Sequence, residues 1–374
     1  MQYIFYRNIF HVEVLPGFWP LQILFLLYTN LLLFRVCYTR RMTDHRCLHG
    51  VNLGGWLVLE KWMTPTLFQD TDARDEYTFM QTKAALEKIT HHRQTFITED
   101  DWRWLAGHSI DIVRIPVGYW LVRPDGPYTG GVEYLDWAFR MAEKYHIRVL
   151  IDLHGAPGSQ NGNDHSGKIG DAGWFHDASA RTKTVDILEI LHERYKNSTQ
   201  YWGLQLMNEP QTRLVQRTLR KFYHQAAQRL AGNQRIIFHD GFTPRLMSGA
   251  LRHDSRAVMD IHLYHMASWI ARYMPVARFV AMSNWWYSRL LRHVSKRQPV
   301  IIGEWSVVLR GESLKKYSES ESMRLMRQFG RAQLAAYENY VFAWFYWSYK
   351  TESGGIWSFR SLVDDGFLEI PPRL

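Results

Sequence analysis

The chain has 374 residues, 46% of them hydrophobic, which is enough for one barrel-sized domain or for two small domains. Its formal charge of +9 comes from 45 basic and 36 acidic residues that are scattered along the sequence. Because the sequence contains no long block of lysine and arginine and no nucleic-acid-binding motif, this charge does not indicate a nucleic-acid partner.

The first element is an apolar segment over residues 16–34, close to the length of a membrane span. Arg35, Arg40 and Arg41 follow it, and by the positive-inside rule such an anchor would hold the rest of the chain in the cytoplasm. A secretory signal would instead have a basic start and a small-residue cleavage site, and this segment has no clear version of either. A third interpretation is that Met42 is the true start. The sequence leaves all three open.

After this segment, apolar runs alternate with amphipathic stretches, which predicts βα units and a parallel sheet. The predicted strands lie near residues 50–54, 110–116, 147–153, 201–207, 235–239, 257–264, 299–304 and 341–347. Predicted helices include residues 132–145, 180–195, 213–230 and 321–337, with a short fifth helix and no convincing helix after the eighth strand. The expected fold is an α/β TIM (β/α)8 barrel. It forms a single catalytic domain over residues 42–374, with residues 1–41 as a separate hydrophobic segment.

Polar or aromatic side chains stand at the ends of most of these strands. They are Arg114, His154, Glu209, His262, Tyr264, Glu304 and Trp347. Because the carboxyl ends of the strands form the working face of a barrel, Glu209 and Glu304 would point into one cleft. Two carboxyl groups that face each other across a sugar can cleave a glycosidic bond. An isolated Asn-Glu-Pro is more often an ordinary helix cap, but the agreement among strand ends favours the catalytic interpretation.

Four motifs carry a resemblance to a known family. In chain order they are residues 50–60 (GVNLGGWLVLE), residues 152–162 (DLHGAPGSQNG), Asn208-Glu209-Pro210 and Gly303-Glu304-Trp305. Together they resemble glycoside hydrolase family 5, the cellulase family, and within it the branch of the exo-β-1,3-glucanases (glucan 1,3-β-glucosidases). The resemblance extends over residues 50–370, and the ordered set is more specific than any one motif.

The resemblance implies roles for individual residues. Glu209 matches the general acid/base and Glu304 the nucleophile of a retaining glycosidase. Asn208 matches the residue that binds the sugar 2-hydroxyl, and Arg114 and Tyr264 match partners of the nucleophile. The other expected substrate-binding residues are Glu60, His154, Asn163, Asp164, His262 and Trp347. We expect the Arg114 guanidinium to lower the pKa of Glu304, and the charge of Glu304 to raise the pKa of Glu209.

Two departures from the family pattern concern the entrance of the cleft. Asn163 stands where the family usually has a phenylalanine, and a second aromatic residue expected shortly after Tyr264 is missing. In the family these aromatics resemble a clamp on the outgoing sugar. Fewer residues that match the family therefore support the exo mode and the leaving-group preference than support the fold and the chemistry. Trp174 or Trp269, from a neighbouring loop, is a candidate to fill the gap.

The expected function is a retaining hydrolase of β-glucosidic bonds, exo-acting on β-1,3-glucan or β-glucooligosaccharides. The alternatives are an endo-β-glucanase of the same family and, less favoured because both glutamates are present, a non-catalytic carbohydrate-binding protein. Neither Cys37 nor Cys47 belongs to a metal-binding pattern, and we expect no cofactor and no metal.

We expect a monomer, and an anchor over residues 16–34 would add the membrane as a partner. The resemblance implies an extracellular or cell-surface location. A start at Met42, or an anchor that obeys the positive-inside rule, would instead place the enzyme in the cytoplasm.

Overall fold

The computed structural model describes residues 46–211, 216–265 and 273–372. The apolar segment over residues 16–34, Cys37 and Met42 lie outside these ranges. In the part of the chain that the structure describes, no helix has both the length and the apolar character needed to cross a membrane. The described residues from Cys47 onward belong to one compact unit.

Eight parallel strands close into a barrel in sequence order, which confirms the predicted TIM barrel. They are β1 (Leu48–Asn52), β2 (Ile112–Gly118), β3 (Arg148–Gly155), β4 (Tyr201–Gln205), β5 (Arg235–His239), β6 (Ala257–Leu263), β7 (Val300–Trp305) and β8 (Ala343–Tyr346). Strand β1 pairs with both β2 and β8, and this pairing closes the barrel. The strand ends differ from the predicted ones by at most two residues.

The helices lie between the strands along the chain. They are α1 (Glu76–Phe79), α2 (Ala85–Thr95), α3 (Glu99–Gly107), α4 (Val132–Tyr145), α5 (Ala178–Tyr195), α6 (Gln216–Arg229), α7 (Pro244–Met247), α8 (Val276–Val294), α9 (Gly311–Leu314), α10 (Glu319–Tyr340) and α11 (Phe359–Asp364). Helix α4 shows why such segments fold as helices. Its buried residues Leu135, Ala138, Phe139 and Ala142 follow the helical period and form one apolar face.

The helix after β5, α7, has only four residues, as the sequence indicated. A short helix, α11, does follow β8, and here the prediction was wrong. Its first turn is capped by the Ser358 side chain, which accepts a hydrogen bond from Ser361 N, and it buries Phe359 and Leu362. Six residues are too few to display a helical period in the sequence.

The barrel interior begins as an apolar layer. Its buried residues are Ile112, Leu150, Ile237, Val258, Ile301, Ala343 and Phe345. Gly50 completes this layer, because a Cβ atom there would lie 2.6 Å from the ring of Phe345. Since alternate residues of a strand face the same side, the residue two positions after each of these also points into the barrel. On most strands that next residue is polar.

The apolar layer yields a prediction about stability. Replacing Leu150, which is fully buried, by alanine should lower the free energy of unfolding by about 2–5 kcal/mol, because a cavity remains inside a closed sheet. The matched control is Leu86→Ala in α2, where the side chain is 61% exposed, and it should change stability by less than about 0.5 kcal/mol. Urea unfolding followed by tryptophan fluorescence measures both. Equal losses in the two variants would contradict a packed barrel interior.

Candidate active site

A layer of buried polar side chains lies directly above the apolar layer. It consists of Asn52, Arg114, Asp152, Gln205, His239 and Asp260. All but Gln205 lie two positions after a residue of the apolar layer, and Gln205 lies two positions after Gly203. These side chains come from six different strands and lie on the carboxyl side of the apolar layer, the side that carries the active site in this fold. The strand period thus places Arg114, which the sequence predicted as a site residue, among five polar side chains that it did not predict.

Arg114 is the hub of this layer and is fully buried. Its guanidinium donates hydrogen bonds to Asn52 Oδ1 (2.7 Å), Gln205 Oε1 (2.9 Å), Asn208 Oδ1 (2.8 Å) and Glu304 Oε1 (3.1 Å), and it forms an ion pair with Asp152 Oδ2 at 3.0 Å. A buried charge is tolerated only when it is paired and hydrogen-bonded. Arg114 therefore fixes the positions of these side chains around it.

A β-bulge brings Glu304 into the site. In the pairing of β6 with β7, Ile261 lies opposite Ile302 and His262 lies opposite Glu304, so Gly303 is the extra residue. Its amide donates instead to Asp260 Oδ1 at 2.6 Å. Bulges of this kind re-aim a side chain next to an active site.

The two predicted catalytic glutamates meet at His262. Its Nδ1 atom lies 2.7 Å from Glu209 Oε1 and 3.5 Å from Glu304 Oε2. These two carboxylate oxygens are therefore at most about 6.2 Å apart, the sum of the two distances. A retaining glycosidase holds its carboxyl groups about 5–5.5 Å apart, and an inverting one about 6.5–9.5 Å apart. The bound on this oxygen pair lies below the inverting range.

The charges in this cluster differ from the expectation. Burial raises the pKa of Glu304, and the charges of His262 and Arg114 offset only part of that effect. Burial also acts to raise the pKa of Glu209, but the hydrogen bond and charge of His262 outweigh it, so the pKa of Glu209 is lowered. Arg114 lowers the pKa of Glu304 as expected, but burial outweighs this effect, and for Glu209 the predicted direction was wrong. The sequence does not reveal that a histidine lies between the two carboxylates.

His262 itself carries the opposite shift. Burial lowers its pKa, but the charges of Glu304 and Asp260 and hydrogen bonds to Asp260 and Glu209 raise that pKa well above its ordinary value. His262 Nε2 lies 3.0 Å from Asp260 Oδ2, which fixes one ring proton there. The second proton therefore lies in the hydrogen bond between His262 Nδ1 and Glu209 Oε1.

The backbone at Glu209 is strained, with a φ of 39°. Such a conformation costs a non-glycine residue roughly 1–3 kcal/mol and persists only when its surroundings hold it. The long loop after β3 supplies this support, because Asn161 Nδ2 donates to Glu209 O (3.1 Å) and Gln160 Nε2 donates to Asn208 O (3.0 Å). The loop after β3 therefore fixes the backbone of the Asn-Glu-Pro turn.

Four further predicted residues lie around the glutamates. Glu60 is buried and accepts a hydrogen bond from Trp62 Nε1 at 2.8 Å. Burial and the neighbouring charge of Asp164 raise the pKa of Glu60 well above its ordinary value. Trp347 stacks on His154, with ring centroids 5.5 Å apart and planes 10° apart. The structure thus places all eleven predicted site residues in or beside one cleft, although Asn163 lies at its exposed edge.

His165 lies at this edge and was not among the predicted site residues. The Asn163 side chain is exposed and hydrogen-bonds to His165 Nε2 at 3.2 Å. That nitrogen lies 3.6 Å from Glu209 Oε2. Trp174 does not fill the aromatic gap, because it is fully buried against Phe222, and the proposal that it does was wrong. Trp269 lies outside the described residues.

An exposed aromatic residue stands elsewhere at the barrel mouth. Phe242 follows β5, has a φ of 58°, and is 55% exposed. Its ring lies edge-on to the His239 ring, with the ring centroids 5.1 Å apart. The rings of His239 and His262 are also edge-on, with centroids 4.4 Å apart. Phe242 is therefore linked to the acid/base candidate through two histidines in edge-on contact. No signal in the sequence separates it from the other 18 phenylalanines.

Glu209, His239 and His262 offer ligand atoms within 4.8 Å of one another, a grouping that could hold a metal ion. Hydrogen bonds already use most of these atoms. Both nitrogens of His262 face carboxylates, and His239 Nδ1 accepts the Gly241 amide, which leaves the His239 proton on Nε2. A protonated nitrogen cannot bind a metal ion, so this hydrogen-bonding pattern does not fit one.

Residues 76–353 match the family described as cellulase (glycosyl hydrolase family 5). The chain is 31% identical to the glucan 1,3-beta-glucosidase of Blumeria graminis, over 88% of each protein. It is 33% identical to the probable glucan 1,3-beta-glucosidase A of Aspergillus fumigatus, over 87% of this chain and 88% of that one. Matches of this extent establish family membership.

Solved structures with the same fold include the rutinosidase from Aspergillus niger, with a TM-score of 0.73 and 21% identity, over 87% of this chain and 98% of that one. The structure of AoRut has a TM-score of 0.75 and 23% identity over the same shares. At these identities the two structures support the fold alone.

The bulge at Gly303 yields a prediction about stability. A methyl group on Gly303 would overlap the Asp260 carboxylate, so Gly303→Ala should lower the free energy of unfolding by about 1–3 kcal/mol. Gly311 has no atom within 4 Å of its would-be Cβ and begins helix α9, so Gly311→Ala should be neutral or stabilising by up to about 1 kcal/mol. Chemical unfolding of both variants checks this, and a neutral Gly303→Ala would refute the tight contact.

Proposed function

The chain belongs to glycoside hydrolase family 5 and is a glycosidase, and from this premise we propose a retaining, exo-acting enzyme that cleaves β-1,3-glucan or related β-glucooligosaccharides. The observation that carries the retaining mechanism is the separation of at most about 6.2 Å between Glu209 Oε1 and Glu304 Oε2. The names of the relatives support the substrate class. We also keep the division into residues 1–41 and a catalytic domain over 42–374, and a monomeric state, as proposals.

Glu304 is the proposed nucleophile. Arg114 Nη1 holds its Oε1 atom at 3.1 Å, and the Tyr264 hydroxyl donates to its Oε2 atom at 2.8 Å. Two donors on one carboxylate fix its orientation before the substrate arrives. In the first step a Glu304 oxygen forms a bond to the anomeric carbon while the glycosidic C–O bond breaks.

Glu209 is the proposed acid/base. Its carboxyl group gives a proton to the leaving oxygen in the first step and takes a proton from the attacking water in the second. Asn208, beside it, is oriented through its Oδ1 atom by Arg114, and its Nδ2 atom lies 3.3 Å from His154 Nε2. This supports the proposed contact of the Asn208 amide with the sugar 2-hydroxyl.

The exo mode rests on Glu60 and Asp164. Their charges interact, and the Trp62 indole holds the Glu60 carboxyl group. Carboxyl groups at one end of a cleft can accept hydrogen bonds from the hydroxyls of a terminal sugar, and such a terminus is present only at a chain end. Trp347, stacked on His154, supplies an apolar face for the same ring.

The roles of the two glutamates can be separated by leaving group. Glu304→Gln should abolish turnover of every substrate. Glu209→Ala should lower kcat/KM for laminaribiose about 10²–10⁴-fold and largely spare 2,4-dinitrophenyl β-glucoside, whose leaving group needs no proton. Azide should rescue Glu209→Ala. Glu312→Gln, at an exposed glutamate, is the matched control and should be silent. Equal losses on both substrates, without rescue, would contradict these roles.

Product analysis tests the substrate, mode and stereochemistry. With laminaripentaose, we expect glucose as the first product, and proton NMR should show the β anomer before mutarotation. Laminaribiose with laminaritriose as the first products, rather than glucose with laminaritetraose, would favour an endo-β-glucanase, and an initial α anomer would contradict retention. A protein that binds laminaripentaose without cleaving it would be the non-catalytic alternative.

A further inference from the structure

Two aspartates lie beneath two histidines of the cleft in the same way. Asp152 precedes His154 by two residues on β3, and Asp260 precedes His262 by two residues on β6. Residues two apart on a strand face the same side, so each aspartate hydrogen-bonds to its own histidine. Both aspartates are fully buried. Asp152 also contacts Arg114, whereas Asp260 contacts the region around the two glutamates.

Asp260 uses both carboxylate oxygens. Oδ1 accepts the Gly303 amide at 2.6 Å, and Oδ2 accepts Gln205 Nε2 at 2.8 Å and faces His262 Nε2 at 3.0 Å. All of these groups are donors to the carboxylate, so the proton on His262 Nε2 cannot move to Nδ1. The His262 Nδ1 atom is left to face Glu209, at 2.7 Å.

We propose that Asp260 is a positioning residue for acid catalysis, acting through His262: it fixes the Nε2 proton of His262, so that His262 Nδ1 and Glu209 hold one further proton between them and deliver it to the leaving oxygen. This inference rests on the proposed function. No new covalent chemistry is added. As the glycosidic bond breaks, the single shared proton passes from His262 Nδ1 through Glu209 to the leaving oxygen, which leaves Glu209 ionised and His262 neutral. Water returns the proton in the second step.

The same histidine links acid catalysis to the nucleophile. Glu304 Oε2 lies 3.5 Å from His262 Nδ1, and its negative charge stabilises the charged imidazole. When Glu304 forms a bond to the sugar it loses that charge, so His262 holds its proton less strongly at the moment when the leaving oxygen needs one. When the ester is hydrolysed, the charge of Glu304 returns and favours recovery of the proton.

Other titratable groups lie near His262 on other strands of the barrel. They are Asp152 and His154 on β3, His239 on β5 and Asp240 after it, and Asp152 is paired with Arg114 on β2. Burial lowers the pKa of both other histidines, that of His239 to about 3, so they are neutral and do not compete for the proton.

The two Asp-His pairs differ in charge. Burial acts to raise the pKa of Asp260, but the charge and hydrogen bond of His262 lower it to about 2. Burial raises the pKa of Asp152 to about 7, although Arg114 acts against it. Asp260 is thus ionised beside a charged histidine, whereas Asp152 lies beside a neutral one. Asp152 is therefore the matched control for Asp260.

The test compares Asp260→Asn with Asp152→Asn. In Asp260→Asn the new amide would donate a hydrogen bond to His262 Nε2. His262 would then be neutral with its one proton on Nδ1, and a neutral imidazole does not give up that proton. For Asp260→Asn we expect kcat/KM for laminaribiose to fall at least about 10²-fold and that for 2,4-dinitrophenyl β-glucoside less than about 10-fold. The alkaline limb of the laminaribiose pH profile should move to lower pH, because removing a negative charge weakens proton binding. Asp152→Asn should affect both substrates alike and leave the limb in place.

Equal losses on the two substrates in Asp260→Asn, with an unmoved limb, would overturn the inference. Turnover of the dinitrophenyl glucoside by the wild-type chain tests the proposed function separately. Nitrogen-15 NMR of histidine-labelled wild-type protein decides the inference if Asp260→Asn fails to fold. We expect one imidazole that stays doubly protonated at about pH 8 and whose signal disappears in His262→Gln. A neutral His262 at that pH would overturn the inference.

Discussion

The buried charge of Arg114 is the constraint around which the active site is built. Moving a guanidinium from water into a protein interior costs roughly several kcal/mol, as it does for any buried ion. Hydrogen-bonding and charged partners that replace the water offset this cost. The partners come from β1, β3, β4 and β7 and from the turn that carries Asn208. One cation therefore fixes side chains from half of the barrel strands. Together with the Tyr264 hydroxyl, it also fixes the orientation of the Glu304 carboxylate.

The strand period explains why so much of the site could be predicted. Ile112, Leu150 and Val258 belong to the apolar layer, and the residues two positions later belong to the polar layer. A run of apolar residues that ends in a polar residue is visible in a sequence. In a barrel, that polar side chain lies at the face that carries the active site. The strand ends, the long helices and the meeting of Glu209 with Glu304 follow from that pattern.

What the sequence did not predict depends on contacts between strands. The pKa direction of Glu209 was wrong because His262 reaches its carboxylate across the barrel, and the pKa of Glu304 is raised because burial outweighs the charges of His262 and Arg114. The Asp-x-His pattern occurs on β3 and on β6, yet one histidine is neutral and the other charged. Arg114 lies beside the Asp-His pair on β3, and the two glutamates lie beside the pair on β6. This difference in neighbours sets the charge of each histidine. The Asp-x-His pattern is the same on both strands, so only the contacts in the assembled barrel determine which histidine is charged.

The entrance of the cleft follows from the strand order. Glu209 comes after β4, whose neighbours in the barrel are β3 and β5. The loop after β3 carries His165 and Asn163, and the loop after β5 carries Phe242. A leaving sugar must lie next to the acid/base, and therefore next to both loops. The leaving-group side thus has polar groups on one neighbour and an exposed aromatic ring on the other. An aromatic residue at position 163 is not the only way this fold can present a stacking surface to that sugar.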